Sequence, residues 1–341
     1  MGRSSRMTAS RMDALLETSS LASRKHFCSL VELPWYAPPK LHDLMDFHTD
    51  QDARYTLVLP VFNQEKIIYD FIKNNDQYAC LPYNLIAIFD CCSDNSLAHF
   101  MAALQDLKSS LLVQVAIVVT AVPYFETACD NIGFLLSETD FIIETQPDLF
   151  MATKDYDRKL LDVLRNPKVS CVSGRCGHAL AELFTYPKIQ GMLVRRAAKR
   201  ARVGLFFGAQ VETHGLLVDD SLDVAFYCET VNRGPMAFRK SDLVQMDYFD
   251  QENFFLGSDE HDFNLRTWLT TGQLPAYLPL KISSKLEWGS TRKKRDPLNQ
   301  FILERLNTRP NHSVLKRFRP FYKPYCQSEM FKVGADQSSR F

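Results

Sequence analysis

Three carboxylates and a histidine fill four consecutive positions, Asp259, Glu260, His261 and Asp262, at the head of a segment whose helical apolar side is Phe263 and Trp268. Acids at a helix N-terminus are favoured by the macrodipole, which is the plain structural reason for such a cluster. Three packed together exceed what capping needs, and like charges at close range raise one another's pKa, which suits a general base. A second chemical position is Asp148 in F-I-I-E-T-Q-P-D-L-F-M, Phe141 to Met151. The run Phe141 to Ile143 predicts a short buried strand, and Pro147, which has no N–H and biases Gln146 towards an extended backbone, ends it. Asp148 then projects from a strand end, where open α/β sheets bind ligands and where a carboxylate can reach a phosphate through a divalent cation. Capping of the following helix is its plain alternative. The third position is cationic: Gly289-Ser290 precede Arg292, Lys293, Lys294 and Arg295, which could fold over a pyrophosphate or form an exposed loop.

The elements that must carry these groups alternate. Thr56 to Phe62 reads as a buried strand, followed by helical spacing through Ile67, Ile68, Phe71 and Ile72. Leu85 to Phe89 repeats the strand, Asp90 to Ser96 is a polar turn, and Leu97 to Leu107 a helix. A strand at Leu112 to Thr120 and a helix at Phe125 to Ser137 lead into the Phe141 strand. Four alternations with connections of this length predict an α/β fold with a mostly parallel, doubly wound sheet flanked by helices. Beyond Asp148 the alternation fades into a helix at Tyr156 to Arg165, a short strand at Val169 to Val172, and the tight turn Arg233-Gly234-Pro235 before a strand and a helix. Residues 1–50 read as a tail and strap with at most a short helix around Met12 to Leu21. Residues 51–285 form the main domain, its halves meeting near residue 150, and 286–341 a basic loop, helix and tail.

Composition narrows the partners. Among 341 residues, 40 basic and 40 acidic side chains cancel, so no global field favours nucleic acid or an anionic membrane. Within the segment Lys188 to Gly204, the stretch from Arg195 to Arg202 carries five cations, Arg195, Arg196, Lys199, Arg200 and Arg202; without interleaved aromatics it reads as a solvated helix face or a phosphate or anionic-surface contact, not a nucleic-acid site. Nine cysteines without a C-x-x-C pair predict free thiols in a reducing compartment. The N-terminal residues have no apolar signal core, Arg6 stands where a myristoylation signal needs Ser or Thr, and no run nears the ~18 apolar residues that span a bilayer. A soluble, cytoplasmic protein is expected, with peripheral membrane contact left open.

In order, these motifs are T-L-V-L-P-V-F-N-Q-E, D-C-C-S-D-N-S, a helix with Asn131 and Gly133, Q-P-D, R-G-P and D-E-H-D-F-N-L-R. Their succession over roughly Arg54 to Leu269 resembles the family 2 glycosyltransferases of GT-A fold, a Rossmann-like sheet with an added acceptor-side region. The resemblance implies an inverting transfer from a UDP- or GDP-sugar to a hydroxyl on a glycan, lipid or protein. It implies that Pro60, Val61, Asn63 and Glu65 line the nucleotide pocket, that Asp90 bonds the base and Asp94 supports the loop. Asp148 would correspond to the last acid of the D-x-D motif, holding Mn²⁺ or Mg²⁺ against the diphosphate. Arg233, Gly234 and Pro235 would border the acceptor side, and Arg292 and Lys293 could contact the diphosphate. The base would fall on Glu260 or Asp259, buttressed by His261 and Asp262, with Arg266 as an ion partner. Gln146 stands where the first D-x-D acid belongs, which opens metal-independent catalysis or a silent glycan- or partner-binding module. A sugar nucleotidyltransferase is disfavoured, because Thr56 to Gln64 lacks a Gly-rich basic loop.

Overall fold

A computed structural model describes residues 8–18, 38–47, 51–107, 111–178, 206–208, 224–257, 259–284 and 330–333. In chain order it begins with α1 (Ala9–Thr18), β1 (Lys40–Asp46), β2 (Tyr55–Val61), α2 (Ile68–Tyr78), β3 (Tyr83–Asp90), α3 (Ser96–Gln105), β4 (Leu112–Thr120), α4 (Phe125–Leu136), β5 (Phe141–Glu144) and β6 (Phe150–Met151). There follow α5 (Tyr156–Leu164), β7 (Val169–Ser173), β8 (Cys176–His178), β9 (Phe206–Gly208), β10 (Val224–Tyr227), β11 (Thr230–Val231), β12 (Met236–Arg239), α6 (Lys240–Gln245), α7 (Asp259–Thr271), β13 (Leu274–Tyr277), β14 (Ile282–Ser283) and β15 (Met330–Lys332). The fold is α/β. Ten strands form one mixed sheet in the order β1-β4-β3-β2-β5-β12-β7-β13-β10-β15.

The continuous apolar runs of β2 and β3 have no polar face because both sides of the sheet are covered. Leu57, Leu59, Leu85 and Ala87 pack on one face with Phe71 and Ile72 of α2, Phe100 of α3 and Leu160 of α5. Val58, Ile86 and Ile88 pack on the other with Met12 of α1, Ile132 and Phe134 of α4, Leu243 of α6 and Phe263 of α7. On this second face Phe134, Phe238, Phe249 and Phe263 meet at ring separations of 5.3–5.9 Å, tying α4 to the element that carries the acid cluster. A Cβ on Gly133 would stand 2.3 Å from a Val58 methyl, so this glycine lets α4 lie against β2.

β2, β3, β4 and β5 are mutually parallel, as the alternation predicts. After β5 the pattern changes: β12 inserts antiparallel between β5 and β7, β7 and β13 are parallel, and β10 and β15 close the edge antiparallel. The segment read as a strap also contributes β1, antiparallel to β4 at the opposite edge. Its half-exposed K-L-H-D-L-M-D lacks the apolar run that marks a central strand.

The chain builds β2, β3 and β4 outwards and then returns to place β5 on the other side of β2. That reversal opens a crevice beyond the carboxyl ends of β2 and β5, where doubly wound sheets take their ligands. Pro60 fits here for a related reason. Ladder pairing of β2 with β5 ends at Val58 and Glu144, so the missing N–H lies beyond the point where β5 would use it.

Candidate active site

On the β2 side of the crevice two turns are stitched together. Asn63, in the left-handed region at φ 49°, accepts the Ser93 N–H through Oδ1 at 2.9 Å. Glu65 Oε2 accepts the Asn95 N–H at 3.1 Å, while its own N–H donates to Asp94 Oδ2 at 3.1 Å. Asp94 Oδ1 accepts the N–H of Ser96 at 3.0 Å at the head of α3. Pro60 and Val61 are buried within β2. Asp90, expected to bond a nucleotide base, is engaged by protein: Oδ1 accepts from Thr120 Oγ1 at 2.8 Å and Tyr124 N at 2.7 Å, and Oδ2 from Phe125 N at 2.8 Å. It holds the start of α4, where the macrodipole favours a carboxylate.

Asp148 emerges beyond β5, largely buried, with Ser284 Oγ 3.5 Å from its Oδ2. The Gln146 amide is used in both directions: Nε2 donates to Glu126 of α4, and Oε1 lies 3.5 Å from Arg175 Nη1. Asp148 and Arg175 both act on the Glu126 carboxyl, one raising and the other lowering its proton affinity. Among the described residues no group of three His, Cys, Asp or Glu side chains is placed to hold a metal ion. Position 146, which would complete an acid pair, presents an amide already bonded on both sides. The described residues at this strand end, one carboxylate and an amide already engaged, therefore do not by themselves make an Mn²⁺ or Mg²⁺ site.

The Arg233-Gly234-Pro235 turn holds a buried hub. Arg233, 2% exposed, points its guanidinium inward: Nη1 bonds Asp130, and Nη2 lies 3.2 Å from Glu126 Oε2 and 2.9 Å from Asp259 Oδ1. Neighbouring Gly234, at φ 74°, donates its N–H to Glu144 Oε2 at 3.1 Å, and a Cβ there would stand 2.2 Å from Leu149. The Gly234–Pro235 peptide is cis. Burial pushes the carboxyl of Glu144 up to about 8 and that of Asp259 up to about 7, against the opposing pull of Arg233. Asp130 is raised well above its ordinary range by burial, and the surrounding acids hold Arg233 firmly cationic.

The acid cluster divides into separate tasks along the first turn of α7. Asp259 pairs with Arg233. Asp262 Oδ2 accepts from Arg266 Nε at 2.6 Å, and Arg266 Nη2 donates to the Tyr248 carbonyl at 2.8 Å, so this pair fastens the loop ahead of α7. His261 Nδ1 lies 2.7 Å from Thr230 Oγ1 and its Nε2 lies 4.0 Å from Glu260 Oε1; burial drives its pKa down to about 4, so it is neutral at pH 7. Glu260 is buried, and its Oε2 has no hydrogen-bond partner. Arg292 and Lys293 lie outside the described residues, as does the cationic segment from Lys188 to Gly204.

Glu126, Asp130, Glu144 and Arg175 are the site members that sequence reading passed over. Glu126 and Asp130 stand four apart in a largely apolar helix, a spacing that puts two acids on one face and calls for a buried cation. No such pattern marks Arg175.

The raised carboxyls make a pH prediction. The folded state keeps the protons of Glu144, Asp259 and Asp130 over a range where the unfolded chain has released them, so stability falls as pH rises. His261 works in the opposite sense, but only below its ordinary value of about 6.5. Urea unfolding should therefore show stability declining from about pH 6.5 to about 8, the range set by Glu144. Glu144→Gln should flatten this slope by up to about 1.4 kcal/mol per pH unit, one proton's worth. An unchanged slope would show that Glu144 is ionised throughout.

No protein-family model matches the sequence, and no curated protein matches it. Structures of GT-A glycosyltransferases are similar in fold. The mannosyltransferase PcManGT from Pyrobaculum calidifontis, in complex with GDP-Man and Mn²⁺, is 11% identical with a TM-score of 0.47, covering 82% of this chain and 68% of that one. GalNAc-T7 with UDP, GalNAc and Mn²⁺ is 8% identical with a TM-score of 0.48, covering 70% of this chain and 44% of that one. S. aureus TarS 1-349 in complex with UDP-GlcNAc is 10% identical with a TM-score of 0.46, covering 75% of this chain and 61% of that one. At this identity the likeness concerns the course of the backbone alone.

Proposed function

We propose that this chain is a nucleotide-sugar-dependent glycosyltransferase of the family 2 type, a hexosyltransferase that inverts the anomeric centre. It would move a sugar from a UDP- or GDP-sugar to a hydroxyl of a glycan, lipid or protein. One observation carries the reading: a continuous series of contacts, Asp259 to Arg233, Arg233 to Glu126 and Glu126 to Gln146, links the acid pair heading α7 to the strand end that bears Asp148 at the sheet's reversal point. A base and a phosphate-binding strand end are thus held in one rigid frame, as a displacement with a charged leaving group requires.

In this reading Asn63, Glu65 and Asp94 shape the nucleotide side, and Asp90 positions α4 beside it. The acceptor hydroxyl attacks the anomeric carbon opposite the diphosphate. Its proton passes to the Glu260 carboxylate, the carbon–oxygen bond to the diphosphate breaks, and the nucleoside diphosphate leaves. Asp259 is ion-paired with Arg233, whereas no ion pair to an arginine or lysine holds Glu260 among the described residues, which favours Glu260 as the base. No helix among the described residues is long and apolar enough to cross a membrane, and the seven described cysteines are free, which supports a cytoplasmic setting with room for peripheral membrane contact.

Calorimetric titration with UDP and with GDP tests the proposal. One nucleotide should bind at least about tenfold more tightly than the other, because a base pocket distinguishes hydrogen-bonding edges. Failure of both to bind would overturn it.

A further inference from the structure

We propose that Arg175, oriented by Gln146, is the cation that grips the donor's diphosphate, at the place where a metal-binding acid pair would otherwise act. The inference rests on the glycosyltransferase reading and names the charge-neutralising group of that same site. The leaving diphosphate must be neutralised by something, and among the described residues the acids do not make a metal cage there.

Gln146 is better understood as a built part of the site than as a lost acid. Its Nε2 supplies a donor to Glu126, whose other oxygen faces Arg233; a carboxylate at 146 would set two anions against each other. Its Oε1 receives Arg175, whose Nη1 also lies 3.3 Å from the Arg233 carbonyl. An amide can satisfy an acid on one side and a guanidinium on the other. An acid at this position could only accept.

The base of Arg175 is held firmly. It sits in the turn between β7 and β8, its N–H donating to Ser173 Oγ at 3.1 Å. The Gly174 N–H donates to the Pro235 carbonyl at 3.0 Å, and a Cβ on Gly174 would stand 2.4 Å from Leu280, so the turn is packed closely from both sides. The side chain is half-buried. Among the described residues Nη1 is the guanidinium nitrogen engaged by protein, which leaves Nε and Nη2 as a forked pair of donors. That fork matches two oxygens of a phosphate.

The test is calorimetric titration of whichever nucleotide the wild type prefers, in EDTA and in Mn²⁺, on wild type, Arg175→Ala, Arg175→Lys and Gln146→Asp. Wild-type affinity should differ by less than about threefold between the two buffers. Arg175→Ala should weaken binding on the order of 10- to 100-fold in both, the range for a charge-assisted contact. Arg175→Lys should recover part of the loss, since it keeps the charge but not the fork. Gln146→Asp should weaken binding in EDTA and regain it in Mn²⁺, because it supplies the missing acid. Wild-type binding that demands Mn²⁺ and is indifferent to Arg175→Ala would overturn this assignment while leaving the glycosyltransferase reading intact. No binding of either nucleotide in either buffer would overturn both.

Discussion

Arg233→Met is expected to cost about 3–5 kcal/mol of folding stability, the range for breaking a buried ion pair from one side. The cation lies between Asp130 and Glu126 of α4 and Asp259 of α7, and all three carboxylates lose it at once. Methionine matches much of the stem's volume, so cavity formation is the smaller effect and uncompensated buried charge the larger. Against a total stability of roughly 5–15 kcal/mol, the variant would be marginal at neutral pH. Its instability should ease as pH falls, because protonation removes the charges that the arginine balanced; the wild type has less to gain. Urea unfolding followed by circular dichroism at pH 5.5 and 7.5 reads both effects. A loss under about 1 kcal/mol with no pH response would mean that the acids are already neutral and that the hub owes little to charge.

The hub also shows where sequence reading reaches its limit. Strands β2, β3 and β4 were legible because branched apolar runs bounded by polar turns have few alternatives inside a covered sheet. The position of Asp148 at a strand end followed from Pro147. By contrast, the strand at Met236–Arg239 carries no mark of its direction, and four residues of M-A-F-R read alike whether they run parallel or antiparallel. Its antiparallel insertion between β5 and β7 is what carries the preceding Arg233 inward to α4 and α7, so an arginine expected at the acceptor border lies in the core. The acids of D-E-H-D were correctly expected at a helix start, and the pairing of Asp262 with Arg266 is a local i,i+4 contact, but Asp259 and His261 take their partners Arg233 and Thr230 from the turn and strand preceding α6, which no local pattern encodes. Arg175 belongs to the same class: a cation in a two-residue turn gains meaning only when the fold brings the end of β7, across β12, within reach of Gln146 beyond β5.

Glu260→Gln is expected to reduce sugar transfer on the order of 10²- to 10⁴-fold, the contribution of a positioned general base. The substitution preserves shape and one hydrogen-bonding oxygen, and no folded-state partner is lost from Oε2, so melting temperature and nucleotide affinity should hold near wild type. Asp259→Asn, one residue earlier, should behave differently. It removes an anion from Arg233 at 2.9 Å, so its main effect should fall on stability, with transfer lost only as far as the head of α7 shifts. Nucleotide release from the bound sugar nucleotide in the presence of acceptor, measured beside titration calorimetry and thermal melting for both variants, separates these outcomes. Transfer abolished by Asp259→Asn at unchanged stability, with Glu260→Gln active, would exchange the two roles. Full activity in both would remove the acid pair from the chemistry and place the base on another residue.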